Sequence, residues 1–343
     1  MPKFNISRES LFKQYSVEFP FEIIEINLPR KFLNKSLPGI GIMFALRSIK
    51  TLLKINDAII YSRDPWVFFI LTALLRKSCI FEAHQFRFQG ALQTFIYRRM
   101  VRYGSRMDNG RVVCISKKLL AQWEEYGIDN GKMIVAHDAV NISKFNTLLP
   151  KVEARKRLGF DQGRPLVIYT GSLIPGKGVD VLVKSANRLP GITFVIVGGD
   201  KEQIGNLSEL VDHKNVIFVG QVPPAKVPEY QCAADVLALP NVRGSEIDDV
   251  TSPMKLFEYI ASGRPIVATD MPSLLEILED GYNALISPAG DDVKLADNIR
   301  LLFDEPRIGE QLVENGKRDL DKYSWDTRIR NISALFKDVF HPS

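Results

Sequence analysis

Three cysteines in 343 residues, Cys79, Cys114 and Cys232, leave no room for a disulfide framework. They sit in separate apolar surroundings without metal-type spacing, so they read as buried free thiols of a reducing compartment. Long apolar runs are missing too. The longest, Trp66–Leu75, stops at Arg76 and Lys77, short of the roughly 18 residues that a membrane-spanning helix needs. The opening MPKFNISRES is polar and shows no signal-peptide core. No repeat, low-complexity tract or nucleic-acid motif stands out. These absences lead to the expectation of a cytoplasmic globular protein that binds no nucleic acid.

What is present is an ordinary apolar fraction of 45%, enough for two cores. The net charge of +5 is unevenly divided: residues 1–150 hold 22 Lys+Arg against 12 Asp+Glu, and residues 151–343 hold 23 against 28. A basic first half suits an anionic partner such as phosphates or a lipid surface.

Short apolar runs recur between helical patterns. The first half predicts strands at Glu22–Asn27, Asp57–Tyr61, Ser78–Ala83, Val112–Ser116 and Met133–His137. The second predicts them at Leu166–Thr170, Thr193–Val197, Val216–Val219, Val236–Leu239, Ile266–Thr269 and Ala284–Ile286. The runs are continuous rather than alternating, as strands covered on both faces require. Helices between them, such as Val179–Leu189 and Lys255–Ser262, give strand–helix–strand units and parallel sheets. The expected fold class is α/β, with two Rossmann-like doubly wound parallel-sheet domains. We place the N-terminal domain at 1–148, the C-terminal domain at 149–324 and a terminal helix at 325–343.

In open parallel sheets ligands bind beyond the carboxyl ends of the strands. Gly171-Ser172-Leu173-Ile174-Pro175-Gly176-Lys177-Gly178 follows one such strand and precedes a helix. Glycines admit an anion, the helix start offers N–H groups and Lys177 adds a mobile charge, so a diphosphate would fit. A plain strand–helix turn with a solvated lysine would read the same way. The segment TSPMKLFEYIASG at 251–263 is more informative. A loop ends at Ser252-Pro253, proline suits the first turn, and the N–H groups of Met254, Lys255 and Leu256 are then free for phosphate. Glu258, one turn on, could accept both hydroxyls of a ribose. In the basic half, His84 follows a strand in FEAHQFRF, where it could hydrogen-bond a sugar or move a proton. Arg98, Arg102 and Arg106 recur at helical spacing in ALQTFIYRRMVRYGSR and could dock an anionic membrane surface, although an ordinary charged helix face has the same pattern.

YTGSLIPGKG, ITFVIVGGD, NVIFVGQV, SPMKLFEYIASGRPIVATD and DGYNALISPAGD, with FEAH and VVCISKKL in the first half, resemble the retaining glycosyltransferases of family 4. The resemblance runs from about residue 57 and is densest at 165–330. It implies the GT-B fold, two Rossmann-like domains facing a cleft, with the last helix crossing back to the first domain. It also implies transfer of a sugar from a nucleoside-diphosphate sugar, UDP favoured over GDP, to a glycan or lipid-linked acceptor.

The same resemblance assigns residues. Lys177 would bind the donor diphosphate with Gly171 and Ser172, Glu258 the ribose, and the backbone at Ser252 and Met254–Leu256 the phosphates. His84 would touch the transferred sugar, and Gly198, Gly199, Gln221 and Val222 would lie near the base. No metal is expected. Three departures stand out. Ser172 occupies the slot of a family arginine. Val250 occupies the slot of the first Glu of an acidic pair, with seven residues between it and Glu258; Glu246, Asp248 or Asp249 could substitute. The family's opening strand and glycine-rich loop are not legible, since the first glycine is Gly39. Either the sequence is truncated there, or the first domain is reduced and a partner subunit or second copy would cover its sheet edge. A non-catalytic nucleotide-sugar-binding subunit is therefore the alternative reading, and a sugar-nucleotide epimerase a more remote one.

Overall fold

The computed structural model describes residues 22, 24, 26, 40–54, 58–88, 90–146, 149–212, 214–244 and 248–335. The expected strand Glu22–Asn27 and the question of a missing opening unit lie outside these residues, apart from Glu22, Ile24 and Ile26. The chain divides into two compact units, and neither is one continuous segment. Asp138–Asp249 and Pro253–Thr327 belong to the C-terminal unit; residues 22–137, Val250–Ser252 and the chain from Arg328 belong to the N-terminal unit.

The N-terminal unit holds β1 (Ile60–Ser62), β2 (Cys79–Ala83), β3 (Gly110–Cys114) and β4 (Met133–Val135), all parallel and in that spatial order. The C-terminal unit holds β5 (Leu166–Thr170), β6 (Thr193–Val197), β7 (Val216–Gly220), β8 (Val236–Leu239), β9 (Ile266–Thr269) and β10 (Leu285–Ser287). Its sheet is also parallel, in the order β10-β9-β8-β5-β6-β7.

The sequence explains why both faces of the C-terminal sheet are buried. Side chains alternate along a strand. Leu166 and Ile168 enter one core with Leu237, Leu256, Phe257 and Ile260, while Val167 and Tyr169 enter the other with Leu182, Phe194 and Leu295. An apolar residue at nearly every position is what two covered faces demand. The N-terminal core gathers Phe68, Phe81 and Trp123, with the last two rings edge to face at 6.3 Å. The three cysteines are free and buried.

A charged knot ties the start of the C-terminal sheet. Arg155, 2% exposed, donates Nε to Ala233 O at 2.9 Å and Nη2 to Asp235 Oδ2 at 2.6 Å. Asp235 also accepts from Lys151 Nζ (2.8 Å) and the Leu166 amide (2.8 Å). Burial pushes the Asp235 carboxyl up, but these donors outweigh it and hold its pKa below the ordinary value. A carboxyl so depressed stabilises the fold above its unfolded pKa of about 4, and the contribution fades as pH falls through the folded value. Asp235→Asn is therefore expected to cost about 2 kcal/mol at neutral pH, since it weakens charge-assisted bonds. The deficit should shrink below about pH 4, which thermal melts of both proteins across pH would show.

The helix Ala91–Arg106 forms where expected, but its arginines do not face outward together. Arg98 lies over the Phe86 ring at 3.5 Å and donates Nε to Phe86 O at 2.9 Å, and Arg102 sits over Tyr126 at 5.8 Å. Planar guanidinium groups stack on aromatic faces, so this stripe packs inward. Of the three, Arg106 alone is exposed, and the outward face carries Leu92, Phe95, Ile96 and Tyr103. The anionic-membrane stripe of Arg98, Arg102 and Arg106 is thus corrected. Among the described residues no helix is long and apolar enough to cross a membrane.

The final helix is described as Trp325–Ala334. From Arg328 onward it belongs to the N-terminal unit. Arg328 Nε donates to His137 O at 2.7 Å, Arg111 Nε donates to Leu335 O at 3.2 Å, and Ile332 packs with Ile80, Val113 and Ala136.

Candidate nucleotide-sugar site

The order of the C-terminal sheet creates a switch point. From β5 the chain builds outward through β6 and β7, then returns to lay β8 against the other side of β5 and continues through β9 and β10. The connections after β5 and β8 therefore diverge, and a crevice opens at the carboxyl ends of these two strands.

Two loops occupy that position. The glycine loop after β5 lies against the loop after β8: Val242 N donates to Gly176 O at 3.0 Å. Gly178 is the tightest point. Its φ is +67°, and a Cβ there would stand 1.7 Å from Pro240 O. Only glycine allows this approach, and it launches the helix Val179–Asn187 without a side-chain cap. Gly198, at φ +131°, has the same role against Gly171 O, 1.9 Å from the Cβ it lacks. The glycines thus serve loop-on-loop packing first.

Within this frame two lysines converge. Lys177 leaves the glycine loop and has Asp248 Oδ1 at 3.9 Å. Lys255, on the helix Met254–Ser262, places Nζ 4.1 Å from the centroid of the Tyr169 ring. Nζ also lies 3.5 Å from where a Gly171 side chain would begin. Burial first, and then the like charge of Lys177, brings the Lys255 ammonium down to about 7, with Glu258 acting in the opposite sense. Tyr169 is itself pinned, because its hydroxyl donates to Ser172 O at 2.7 Å.

Glu258 is held from behind. Gln231 Nε2 donates to Glu258 Oε2 at 2.9 Å and reaches Thr170 Oγ1 at 3.4 Å. Tyr259, fully buried, accepts the Thr170 amide at its hydroxyl (2.8 Å) and so clamps the helix to the end of β5. Sequence reasoning missed Gln231 and Tyr169. Gln231 sits in VPEYQCA without any motif, and Tyr169 reads simply as a strand residue.

The helix start differs from expectation in one respect. The Leu256 amide donates to Pro253 O at 2.9 Å, so it is not free, and Leu256 is fully buried. Pro253 in an extended conformation turns its carbonyl into the first turn and takes that proton. The amides of Met254 and Lys255 are the donors that remain. Gly171 is also spent, its N–H going to Val197 O at 2.9 Å. Ser172 is exposed; Ser252 is buried and already engaged. Gly199 packs on Leu173, which a Cβ would strike at 2.3 Å, and Gln221 is exposed just beyond β7 with Val222 half-buried beside it.

His84 belongs to the N-terminal unit, one residue past β2. Its Nε2 is hydrogen-bonded to Glu82 Oε1, which also accepts from Arg63 Nη2 at 2.9 Å. Arg328 Nη2 is 3.6 Å from the other carboxylate oxygen. Burial pushes the Glu82 carboxyl up, but His84, Tyr61, Arg328 and Arg63 together bring it to about 2. Glu82 is thus a fixed anion that orients the imidazole, a partnership the sequence did not reveal.

Val250 is 4% exposed in the core of the N-terminal unit, and its carbonyl accepts from Ser116 Oγ at 2.9 Å. Of the acids that could stand in for it, Asp248 is placed beside Gly176 and Lys177, while Glu246 lies outside the described residues. Among the described residues no group of three or more His, Cys, Asp or Glu is placed to hold a metal ion.

Residues 164–305 match the family model described as glycosyl transferases group 1. The chain is 29% identical over 240 residues to a phosphatidyl-myo-inositol mannosyltransferase of Mycobacterium leprae, covering 67% of this chain and 59% of that protein. It is 28% identical over 196 residues to a GDP-mannose-dependent alpha-(1-6)-phosphatidylinositol monomannoside mannosyltransferase of Mycolicibacterium smegmatis, covering 54% and 51%. The chain thus spans between about half and three fifths of the length of these two relatives. Among solved structures, Anabaena HepE in complex with UDP superposes with a TM-score of 0.74 at 17% identity, covering 86% of this chain and 82% of that one. The fold is GT-B, and its C-terminal part carries the match to the glycosyl transferases of group 1.

Proposed function

We propose that this protein is a glycosyltransferase that moves a sugar from a nucleoside-diphosphate sugar to a glycan or lipid-linked acceptor, with retention at the anomeric carbon. The observation that carries the reading is the convergence of Lys177, Lys255 and Glu258 at the β5/β8 switch point. Two cations and the amides of Met254 and Lys255 suit a diphosphate. A carboxylate one helical turn away suits the ribose. Preorganised donors stabilise the charge that grows on a departing diphosphate, so the proposed site balances that charge without a metal. His84, oriented by Glu82, is assigned to the transferred sugar.

UDP is favoured over GDP here, in keeping with the ligand of the HepE structure, although one relative is named for GDP-mannose. The alternative, a subunit that binds the nucleotide sugar without transferring it, is favoured by one observation: the slot before Glu258 offers a core valine instead of a carboxylate.

A ligand that binds the folded state raises the melting temperature. UDP, GDP and their sugar conjugates should therefore separate, with one base giving a rise of about 3 °C or more at saturating concentration. No shift with any of them would overturn the reading. Binding without release of nucleotide in the presence of broad acceptor mixtures would select the non-catalytic alternative.

A further inference from the structure

Lys255 is held in surroundings that do not favour its charge. Its Nζ rests on the Tyr169 ring, and no hydrogen bond or ion pair engages it among the described residues. The charged and titratable groups around it come from three elements. Lys177 approaches from the glycine loop, with Asp248 close to that lysine. Tyr169 comes from β5, and Glu258 and Tyr259 from its own helix. Among the described residues Glu258 is the one carboxylate that acts on it, and one of the Glu258 oxygens is already committed to Gln231. A side chain at Gly171, which the glycine lacks, would begin 3.5 Å from the ammonium.

Two ammonium groups that act on each other, with one carboxylate near each, form a receptor for an anion that carries more than one charge. We propose that the Lys255 ammonium is the second cationic ligand of the donor diphosphate, beside Lys177, and that donor binding places a proton on it. The inference rests on the donor reading above and adds to it a side-chain role and a proton linkage.

In the free protein, burial and Lys177 bring Lys255 down to about 7. A diphosphate at Nζ raises it again. Below about pH 7 the lysine is already charged, so binding takes up no proton and affinity is flat. Above that pH each binding event takes up a proton, and affinity falls by up to about tenfold per pH unit.

Isothermal titration calorimetry tests this with UDP-glucose, and GDP-mannose in parallel, in two buffers of different ionisation enthalpy. The phosphates of these diesters neither gain nor lose a proton between about pH 6.5 and about pH 8.5. The expected result is uptake approaching one proton at the higher pH, with Kd about tenfold or more weaker than at the lower. Lys255→Met should bind about tenfold more weakly at the lower pH and take up no proton. Lys255→Arg should retain binding while losing the proton uptake, because a guanidinium stays charged. Thermal melts of both variants check that they fold. Proton uptake that persists in Lys255→Met, or wild-type binding that takes up no proton at the higher pH, overturns the assignment. No binding of either sugar nucleotide at any pH overturns the donor reading itself, and this inference with it.

Discussion

Replacing Glu258 with Ala is expected to lower kcat/KM for the donor by about 100-fold or more while leaving the protein folded. The carboxylate sits one turn into the helix Met254–Ser262 and is half-buried. Gln231 holds one of its oxygens, and the other has no partner among the described residues. An acceptor fixed on one side and open on the other suits the proposed ribose, whose two hydroxyls lie on neighbouring carbons. Hydrogen bonds to a charged acceptor contribute about 1.5–3 kcal/mol each, and every 1.4 kcal/mol is about tenfold, so losing the pair exceeds 100-fold. Glu258→Gln keeps the shape and exchanges an acceptor for a donor toward Gln231, so it should be impaired nearly as much. Steady-state kinetics on the donor that stabilises the wild type, with a melt of each variant, decides the matter. Wild-type turnover in Glu258→Ala would remove the ribose role.

The second large effect concerns stability. Gly178→Ala is expected to lower stability by about 4 kcal/mol or more, a melting-temperature drop of about 8–16 °C for a unit of this size. Two costs add. An alanine at φ +67° is strained by about 1 kcal/mol. The larger cost is the collision of its Cβ with Pro240 O at 1.7 Å, since neither backbone can move without parting the two loops. Gly159 is the control. Its φ is +73°, yet nothing lies within 4 Å of a methyl placed there, so Gly159→Ala should carry the strain alone. Its melting temperature should fall by about 2–4 °C. Equal drops in the two variants would mean that the loops separate easily and that the collision is not what glycine avoids.

Much of the C-terminal fold was legible because its strands are unambiguous. LVIYT, TFVIV, VLAL and IVAT are buried at every position and form strands at the expected residues. The first half was less exact. Val112–Ser116 is instead Gly110–Cys114, because Gly110 starts the strand by approaching the helix before it: a Cβ there would lie 2.1 Å from Gly104 O. Hydrophobic pattern carries no trace of that constraint. The candidate site was legible in part where a motif marks backbone, at the glycine loop and the SPMKLFE helix start, although the amides of Gly171 and Leu256 are spent within the fold. It was not legible where a side chain is held by a neighbour distant in sequence. Gln231 reaches Glu258 from 27 residues away and Arg63 reaches Glu82 from 19. The arginines of the helix Ala91–Arg106 show the opposite error. Spacing correctly placed them on one face, but it could not say that Phe86 and Tyr126 would draw that face inward.

The interleaved path of the chain bears on its synthesis. The N-terminal unit takes up Val250–Ser252 and, among the described residues, 328–335. As the nascent chain leaves the ribosome, the segment from Glu22 to His137 therefore emerges without the arginine that reaches Glu82 and His137, and without Ile332 for its core. The middle of the chain can condense first, around a sheet contained within 166–287. The first-made unit is then the last to be completed, and a premature stop shortly before Arg328 would release a polypeptide whose older half is open to proteases. Limited proteolysis of stalled chains should show protection arising in that reverse order.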